Sequence, residues 1–256
     1  MTHNISEISV LFFAAIRERA GTGVVQVVAV DGMTVDDAVD VACKAAPGHL
    51  ELGTAVMLAL NGEYVARDHL VNPGDEIAVI PPVSGGSDEI ADDSEWVFLT
   101  GEHLDSSALT EFVKTNVDGA IVTFLGVTRD SNQGRIVKYL EYEAYQPMAQ
   151  NMMAEIIKEM RGRWSIGKIA VAHRTGRVNI GETSMVIVVA SPHRRPAFEA
   201  SLYFVDRLKE IVPIWKKEFF EGGEVWIGKT QVTVPSSSIG INDLTFRYTY
   251  ICCNKR

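Results

Sequence analysis

The chain has 256 residues, of which 46% are hydrophobic and 22% charged. This composition excludes a disordered or low-complexity protein, and the length allows one large domain or two ordinary ones. No apolar run approaches the ~20 residues of a membrane span, and no basic region precedes an apolar stretch at the amino terminus. We therefore expect a cytoplasmic protein without membrane contacts, and the net charge of −9 argues against nucleic-acid binding.

The acidic residues are distributed unevenly along the chain. Residues 1–86 contain 4 Lys or Arg against 11 Asp or Glu, residues 87–100 none against 5, and residues 101–256 contain 20 against 17. Prolines, a Gly-Gly-Ser and several acids follow one another from Pro81 to Trp96, which is typical of a linker. The sequence predicts two domains, an acidic linker at 87–95 and a tail of unknown role at 230–256.

The first 86 residues predict several strands around one helix. Apolar and β-branched runs at 8–16 and 24–30 indicate two strands joined by a glycine-containing turn. Thr34 is a candidate N-cap for a helix that ends at Pro47-Gly48. Strands are predicted again at 55–61, at 63–66 directly after the turn Asn61-Gly62, and at 76–82. The order β-β-α-β-β predicts a compact sheet that grips one helix.

The larger part of the chain predicts strands next to strands, with two helices. Strand-like runs occupy 119–129, 137–145, 168–178 and 183–192. A first helix is predicted from Pro147 to about residue 164 and a second from about Arg195 to Val212. The second helix carries four apolar residues on one face, namely Phe198, Leu202, Val205 and Leu208. This order indicates the α+β class and not an alternating βαβ fold.

The motif His193-Arg194-Arg195-Pro196 stands where a predicted strand ends and the second helix begins. Free backbone N–H groups, the positive end of the helix dipole and two guanidinium groups meet there, an arrangement that favours an anion. Pro196 fits the first helical turn because its missing N–H would have no partner there. The motif alone is equally consistent with basic residues that lie in water at the start of the helix and bind no ligand.

Lysines lie at the other end of the second helix. Lys209 falls in its last turn, and Lys216, Lys217 and Glu218 follow the apolar pair Ile214-Trp215. Burial beside that pair would lower a lysine pKa and prepare the amine to act as acid, base or nucleophile. The alternative is that these lysines complement the helix dipole and remain in water.

The spacing of Arg194 and Lys209 has a consequence for assembly. They are fifteen residues apart, and a continuous helix separates them by ~22 Å, so one small ligand cannot contact both within one subunit. If both serve one site, they come from two copies of the chain. This predicts a homodimer through the larger domain, with shared sites.

Arg129 ends a strand-like run and opens the loop DSNQGR. In that position an arginine can bind a phosphate through two hydrogen bonds, or it can form a surface ion pair. The three cysteines Cys43, Cys252 and Cys253 form no CxxC pair, so we predict neither a metal site nor a disulfide framework.

The dipeptide Gly85-Gly86 taken alone is typical of a flexible tether. Here it directly follows the last strand of the predicted β-β-α-β-β domain. That combination resembles the ubiquitin-like β-grasp sulfur carriers that form the small subunit of molybdopterin synthase. The glycine tail of such carriers extends into an enzyme active site, and the absence of side chains lets it pass a narrow channel.

Residues 96–228 resemble the large subunit of molybdopterin synthase. The resemblance rests on GAIVTFLGVTR, EYEAYQPM, VAHRTGRVNIGE, SPHRRPAFEA and RLKEIVPIWKKE, in the family's order. It implies an α+β fold with a ubiquitin-like β-grasp domain at 1–86 and a catalytic large-subunit-like domain at 96–229. The chain is therefore interpreted as a fusion of the two subunits.

The family converts cyclic pyranopterin monophosphate into molybdopterin, with both dithiolene sulfurs supplied by a thiocarboxylated glycine end. The resemblance implies no permanently bound cofactor, and a partner enzyme that adenylates and sulfurates the Gly-Gly tail. It implies that His193, Arg194 and Arg129 hold the phosphate and pterin, and that Lys209 and Lys216 assist sulfur transfer and release of the carrier. The full set of implied substrate contacts is Val127, Thr128, Arg129, His193, Arg194, Lys209, Lys216, Lys217 and Glu218.

The sequence departs from the family at two places. Gly86 is followed by Ser87, so no carboxyl group is free to carry sulfur, and cleavage after Gly86 is predicted. Lys229 is a stand-in for a basic residue that the family has after the motif at Trp226. Two alternatives stay open, a noncatalytic fusion that uses the ubiquitin-like domain for interaction and a different enzyme acting on a phosphate ligand.

Overall fold

The computed structural model describes residues 7–50, 52, 56–81 and 94–227. Residues 7–81, here the N-terminal unit, form one five-stranded sheet, and residues 94–227, the C-terminal unit, form two sheets. The α+β class predicted from the sequence is confirmed. In the part of the chain that the structure describes, no helix is both long and apolar enough to cross a membrane.

The N-terminal unit is a mixed sheet with the longer of its two helices packed on one face. Its elements are β1 (Glu7–Phe12), α1 (Ala14–Ala20), β2 (Val24–Val28), α2 (Val35–Ala45), β3 (Met57–Leu60), β4 (Glu63–Tyr64) and β5 (Glu76–Ile80). The strand order is β2-β1-β5-β3-β4, with β1 and β5 parallel at the centre. The buried face of α2 packs on β1 and β5 through Val35 and Val39 against Val10 and Ile77.

The start of α2 agrees with the prediction from sequence. The Thr34 hydroxyl accepts the Asp37 N–H at 3.2 Å, and the Asp37 carboxylate accepts the Thr34 N–H at 3.0 Å. This reciprocal pair is a capping box, which satisfies two N–H groups that a helix start leaves without partners.

The predicted strand at 8–16 is wrong beyond Phe12. β1 ends there, and α1 begins at Ala14, whose φ is +49°. The run of apolar residues continues past Phe12, so its hydrophobicity alone does not show where the strand ends. A contact with the C-terminal unit favours the end of β1 at this point, because the Ala14 N–H donates to the Glu143 carboxylate.

The C-terminal unit contains two sheets and three helices. Its elements are β6 (Glu95–Thr100), α3 (Ser106–Val113), β7 (Ala120–Val127), β8 (Ser131–Asn132), β9 (Arg135–Ala144), α4 (Gln146–Arg161), β10 (Ile169–Arg174), β11 (Gly176–Asn179), β12 (Thr183–Ser191), α5 (Arg194–Ile211), β13 (Ile214–Phe220) and β14 (Gly223–Ile227). One sheet has the order β6-β10-β12-β7 and the other β11-β9-β13-β14, with β8 beside β9.

Several predictions for this unit need correction. The predicted strand at 168–178 is two strands, β10 and β11, which belong to different sheets. Glu95, placed in the linker from sequence, begins β6 and lies opposite Ile169. The elements β6, α3, β8, β13 and β14 were not predicted. Charged residues interrupt the apolar pattern in β13 and β14, which pair into a sheet through their backbones.

The two units share one hydrophobic core. Ala59, Ala78 and Ile80 of the N-terminal sheet pack in the same buried cluster as Met148 and Met152 of α4. Phe13 stacks on Trp215 with 5.3 Å between ring centroids. The N-terminal sheet therefore buries α2 on one face and is covered by the C-terminal unit on part of the other.

Candidate functional site

The strands β7 and β12 divide the predicted site residues between two ends of one sheet. They run antiparallel, so Val127 lies opposite Thr183 and Ala120 lies opposite Ser191. Val127, Thr128 and Arg129 therefore lie where β12 begins. His193 follows the other end of β12, ~27 Å away for a strand of 9 residues.

The helix α5 joins these two ends. His193 is its N-cap and Arg194 its first residue, and both side chains are exposed. The helix folds back against β12 and β7, so it ends near the start of β12, with exposed Lys209 in its last turn. One copy of the chain thus places Lys209 at the Arg129 end and Arg194 at the opposite end.

Thr128 is held by a turn that precedes β12. Its N–H donates to the Glu182 carbonyl at 3.0 Å, and its carbonyl accepts the Gly181 N–H at 2.9 Å. The Glu182 carboxylate in turn accepts the Asn179 N–H and the buried Arg174 guanidinium, each at 2.9 Å. Hydrogen bonds from the backbone and side chain of Asn179, and then from Arg174, lower the pKa of Glu182 to about 2. Arg129 therefore follows a fixed backbone position.

Glu218 is the buried centre of a second group of contacts. It is 3% exposed, and its carboxylate accepts Lys216 Nζ at 2.8 Å and Asn132 Nδ2 at 2.8 Å. Asn132 lies three residues after Arg129, in the loop DSNQGR that Arg129 opens. The structure therefore brings together Thr128, Arg129, Lys216 and Glu218 in one region, with Lys209 at the same end of the sheet.

His173 and Tyr142 lie beside Lys216. Tyr142 is opposite Lys216 in the register of β9 and β13, and the His173 ring meets the Tyr142 ring edge-on, with 4.9 Å between centroids. Complete burial lowers the pKa of His173 to about 4. The imidazole is therefore neutral at physiological pH, and its Nδ1 is 2.8 Å from the Arg174 carbonyl oxygen.

Lys217 lies on the opposite face of β13 from Lys216, because successive side chains of a strand alternate between faces. Its ammonium contacts Glu18 and Glu224, each at 2.5 Å. Burial lowers the pKa of Lys217, but the two carboxylates outweigh that effect and raise it. Of the two interpretations of these lysines, a pKa lowered by burial therefore does not apply to Lys217.

Sequence reasoning missed Asn132, Arg174 and Glu182. Each is polar and lies in or beside a turn, and such residues are common on surfaces, so their composition carries no signal. A weak signal was available for Asn132, which shares the six-residue loop with Arg129. Gly86 and Lys229 lie outside the described residues. Among the residues described, no group of three or more His, Cys, Asp or Glu side chains could hold a metal ion.

Two family profiles match the chain, the one described as MoaE protein over residues 99–211 and the ThiS family over residues 10–86. The molybdopterin synthase catalytic subunit of Bacillus subtilis is 45% identical over 130 residues, which cover 51% of this chain and 83% of that protein. The chain belongs to the molybdopterin synthase family. The human catalytic subunit is 39% identical over 164 residues, 64% of this chain and 87% of the human one.

A solved structure agrees with this assignment. The crystal structure of molybdopterin synthase from Staphylococcus aureus matches with a TM-score of 0.51 and 39% identity, over 52% of this chain and 97% of that one. The resemblance stated from sequence is confirmed, with a ThiS-type and a MoaE-type region in one chain. The protein is thus an enzyme of molybdenum cofactor biosynthesis.

Proposed function

We propose that this molybdopterin synthase transfers sulfur from a glycine thiocarboxylate at Gly86 to cyclic pyranopterin monophosphate. The observation that carries the proposal is the docking of the ThiS-type unit on the MoaE-type unit, beside a region that gathers Arg129, Lys209 and Lys216. The substrate is an anionic phosphate ester, and these three side chains supply positive charge.

In the proposed reaction, the thiocarboxylate sulfur forms a bond to a pyranopterin carbon, and an oxygen substituent leaves with a proton. Water then cleaves the acyl–sulfur bond, which leaves a carboxylate on Gly86 and a thiol on the pterin. Two such transfers complete the dithiolene. Lys209 and Lys216 transfer protons and stabilise the developing charge, with Glu218 orienting Lys216.

The phosphate and pterin are proposed to lie against Val127, Thr128 and Arg129 of one copy and His193 and Arg194 of a second. The strand β7 is an edge of its sheet, and Leu125 and Val127 are exposed on it. Pairing two β7 edges antiparallel about a two-fold axis would set Val127 near Ala120 of the other copy. The His193 end of one copy would then lie beside the Arg129 end of the other.

Sulfur loading of Gly86 requires a free carboxyl group, so we propose cleavage between Gly86 and Ser87, followed by loading by an adenylating and sulfurating enzyme. Intact mass spectrometry of protein purified from its native host tests this step. A fragment that ends at Gly86 is expected. Active protein that is uncut throughout turnover would contradict cleavage.

An assay with the pyranopterin precursor, an adenylating enzyme and a sulfur source tests the activity. The wild type is expected to form molybdopterin, while Lys209→Ala and Lys216→Ala should remain folded and lose product formation. Only Lys209→Ala should keep its thermal unfolding temperature, because Lys216→Ala leaves the buried Glu218 without its ion-pair partner. Unchanged turnover in both variants would refute the roles of these lysines. A wild type that binds its partners and makes no product would support the noncatalytic fusion.

A further inference from the structure

The contact between the two units is charge-matched at two adjacent residues of the N-terminal unit. Glu18 meets Lys217 at 2.5 Å, and Arg17 meets Glu143 at 2.9 Å. Lys217 and Glu143 lie on the same face of the sheet, because Lys217 is opposite Glu141 and Trp215 is opposite Glu143. The C-terminal unit thus places the cation Lys217 against Glu18 and the anion Glu143 against Arg17, so both contacts are attractive.

The Lys217 side chain is fully engaged by the contact between the two units. Its side chain is 10% exposed, and its ammonium lies between Glu18 and Glu224, whose carboxylates neutralise it. Lys216 points to the other face, towards Glu218. A ligand that contacts Lys216 is therefore separated from Lys217 by the sheet itself.

The backbone at Ala14 is also shaped for this contact. Its φ of +49° is uncommon for a residue with a Cβ, and its N–H donates to Glu143 Oε2 at 3.3 Å. Burial raises the pKa of Glu143, and Arg17 and the Ala14 N–H act against that rise. An unusual backbone conformation, a buried carboxylate and a guanidinium thus converge at the start of α1.

We propose that Lys217 and Glu143 form a dock that recognises the Arg17-Glu18 pair, and that Lys217 does not bind the pterin. The partner that fits this dock is a β-grasp carrier whose first helix carries Arg-Glu at these positions, here the chain's own N-terminal unit. The proposal deepens the proposed function, on which it rests for the role of that unit as a sulfur carrier. It replaces the placing of Lys217 among the substrate contacts.

Hydrogen exchange on the full chain tests the dock, because the Ala14 N–H is bonded across it. Lys217→Glu and Glu18→Lys should each accelerate exchange at Ala14 and in α1 by at least about tenfold, since each places like charges together. The double variant E18K/K217E restores an opposite pair and should exchange more slowly than either single variant. Exchange in β10 and β12 should stay unchanged, which separates undocking from unfolding.

The matched control is Lys216→Ala, on the other face of the same strand. It should lose product formation with α1 exchange as in wild type, whereas Glu18→Lys should accelerate exchange. Wild-type exchange in both Glu18→Lys and Lys217→Glu, or a double variant no slower than the singles, would overturn the dock. Docking coupled to these charges in a chain that makes no molybdopterin would instead contradict the proposed function alone.

Discussion

Asn132 shows how single residues join parts of the candidate site that are distant in sequence. Its amide donates to Glu218, 86 positions away, and Glu218 accepts the Lys216 ammonium. The loop that carries Arg129 is thereby fixed to the strand that carries Lys216. No pattern within either segment predicts this contact, because it depends on how β8 and β13 lie against β9.

Asn132→Ala removes a donor from the buried Glu218 carboxylate. We expect a loss of about 1–3 kcal/mol in the free energy of unfolding, because the carboxylate loses one hydrogen bond in a buried site. Product formation should fall as well, since Lys216 loses part of its support. Urea unfolding and the synthase assay measure the two effects. Ser131→Ala, at an exposed neighbour, serves as control, and equal behaviour of both variants would contradict the role of Asn132.

The burial of His173 should make the stability of the protein depend on pH. Its pKa is lowered from an ordinary value near 6.5 to about 4, so the unfolded chain binds this proton more readily than the folded one. The stabilisation is present above pH ~6.5 and is lost as pH falls towards 4. His173→Asn should therefore flatten the decline of the urea midpoint between pH 6.5 and pH 4. A decline as steep as in wild type would show that another group is responsible.

At the scale of elements, the predicted apolar stripe of α5 is divided between the buried core and the exposed surface. The sequence placed four apolar residues on one face, and the structure buries Val205 and Leu208 but leaves Phe198 and Leu202 exposed, at 63% and 64%. The buried face of α5 begins with Ala197 and Ala200, so the predicted stripe coincides with that face only at Val205 and Leu208. Phe198 and Leu202 are one helical turn apart and form a contiguous exposed apolar patch, which is a candidate interface with another protein.

The two halves of the stripe should respond differently to substitution. Leu202→Ser is expected to weaken self-association in sedimentation experiments over a concentration series. The unfolding temperature should be nearly unchanged, because Leu202 is 64% exposed and lies outside the buried core. Leu208→Ala should cost about 2–5 kcal/mol of unfolding free energy, because it leaves a cavity in the core. Identical association of Leu202→Ser and wild type would argue against this surface as an interface.

The elements that the sequence predicted well share a strong periodic pattern or a local cap. The capping box at Thr34 and the long helices α4 and α5 are visible in the residues themselves. The strand β13 was missed because Lys216, Lys217 and Glu218 interrupt its apolar residues. The partners that bury these charges include Glu18 and Asn132, which are distant in sequence. The separation of Arg194 from Lys209 followed from the length of the predicted helix. The placing of Lys216 and Lys217 on opposite faces could not be predicted without knowing that they lie in a strand.

At the scale of the whole molecule, the separation of Arg194 from Lys209 predicts complementation between inactive chains. Arg194→Ala and Lys209→Ala should each be inactive as homodimers, because every shared site lacks one group. Random mixing gives half heterodimers, each with one intact site, so about a quarter of wild-type activity should return. Unfolding and refolding of the mixed chains, followed by the synthase assay, measures this recovery. No recovery, in mixtures shown to contain heterodimers, would place both residues in one subunit's site.

The burial of Ile80 in the core shared by both units limits where the glycine end can act. Gly86 follows Ile80 by six residues, and an extended chain of that length spans at most about 20 Å. While the units stay docked, the pterin carbon that accepts sulfur from Gly86 must lie within about that distance of Ile80. Within this volume the local concentration of the carrier end is on the order of tens of millimolar while the units stay docked. Delivery of sulfur is therefore a first-order event as long as the cut carrier stays docked, and dilution should slow it only when the two units, or the two copies, separate.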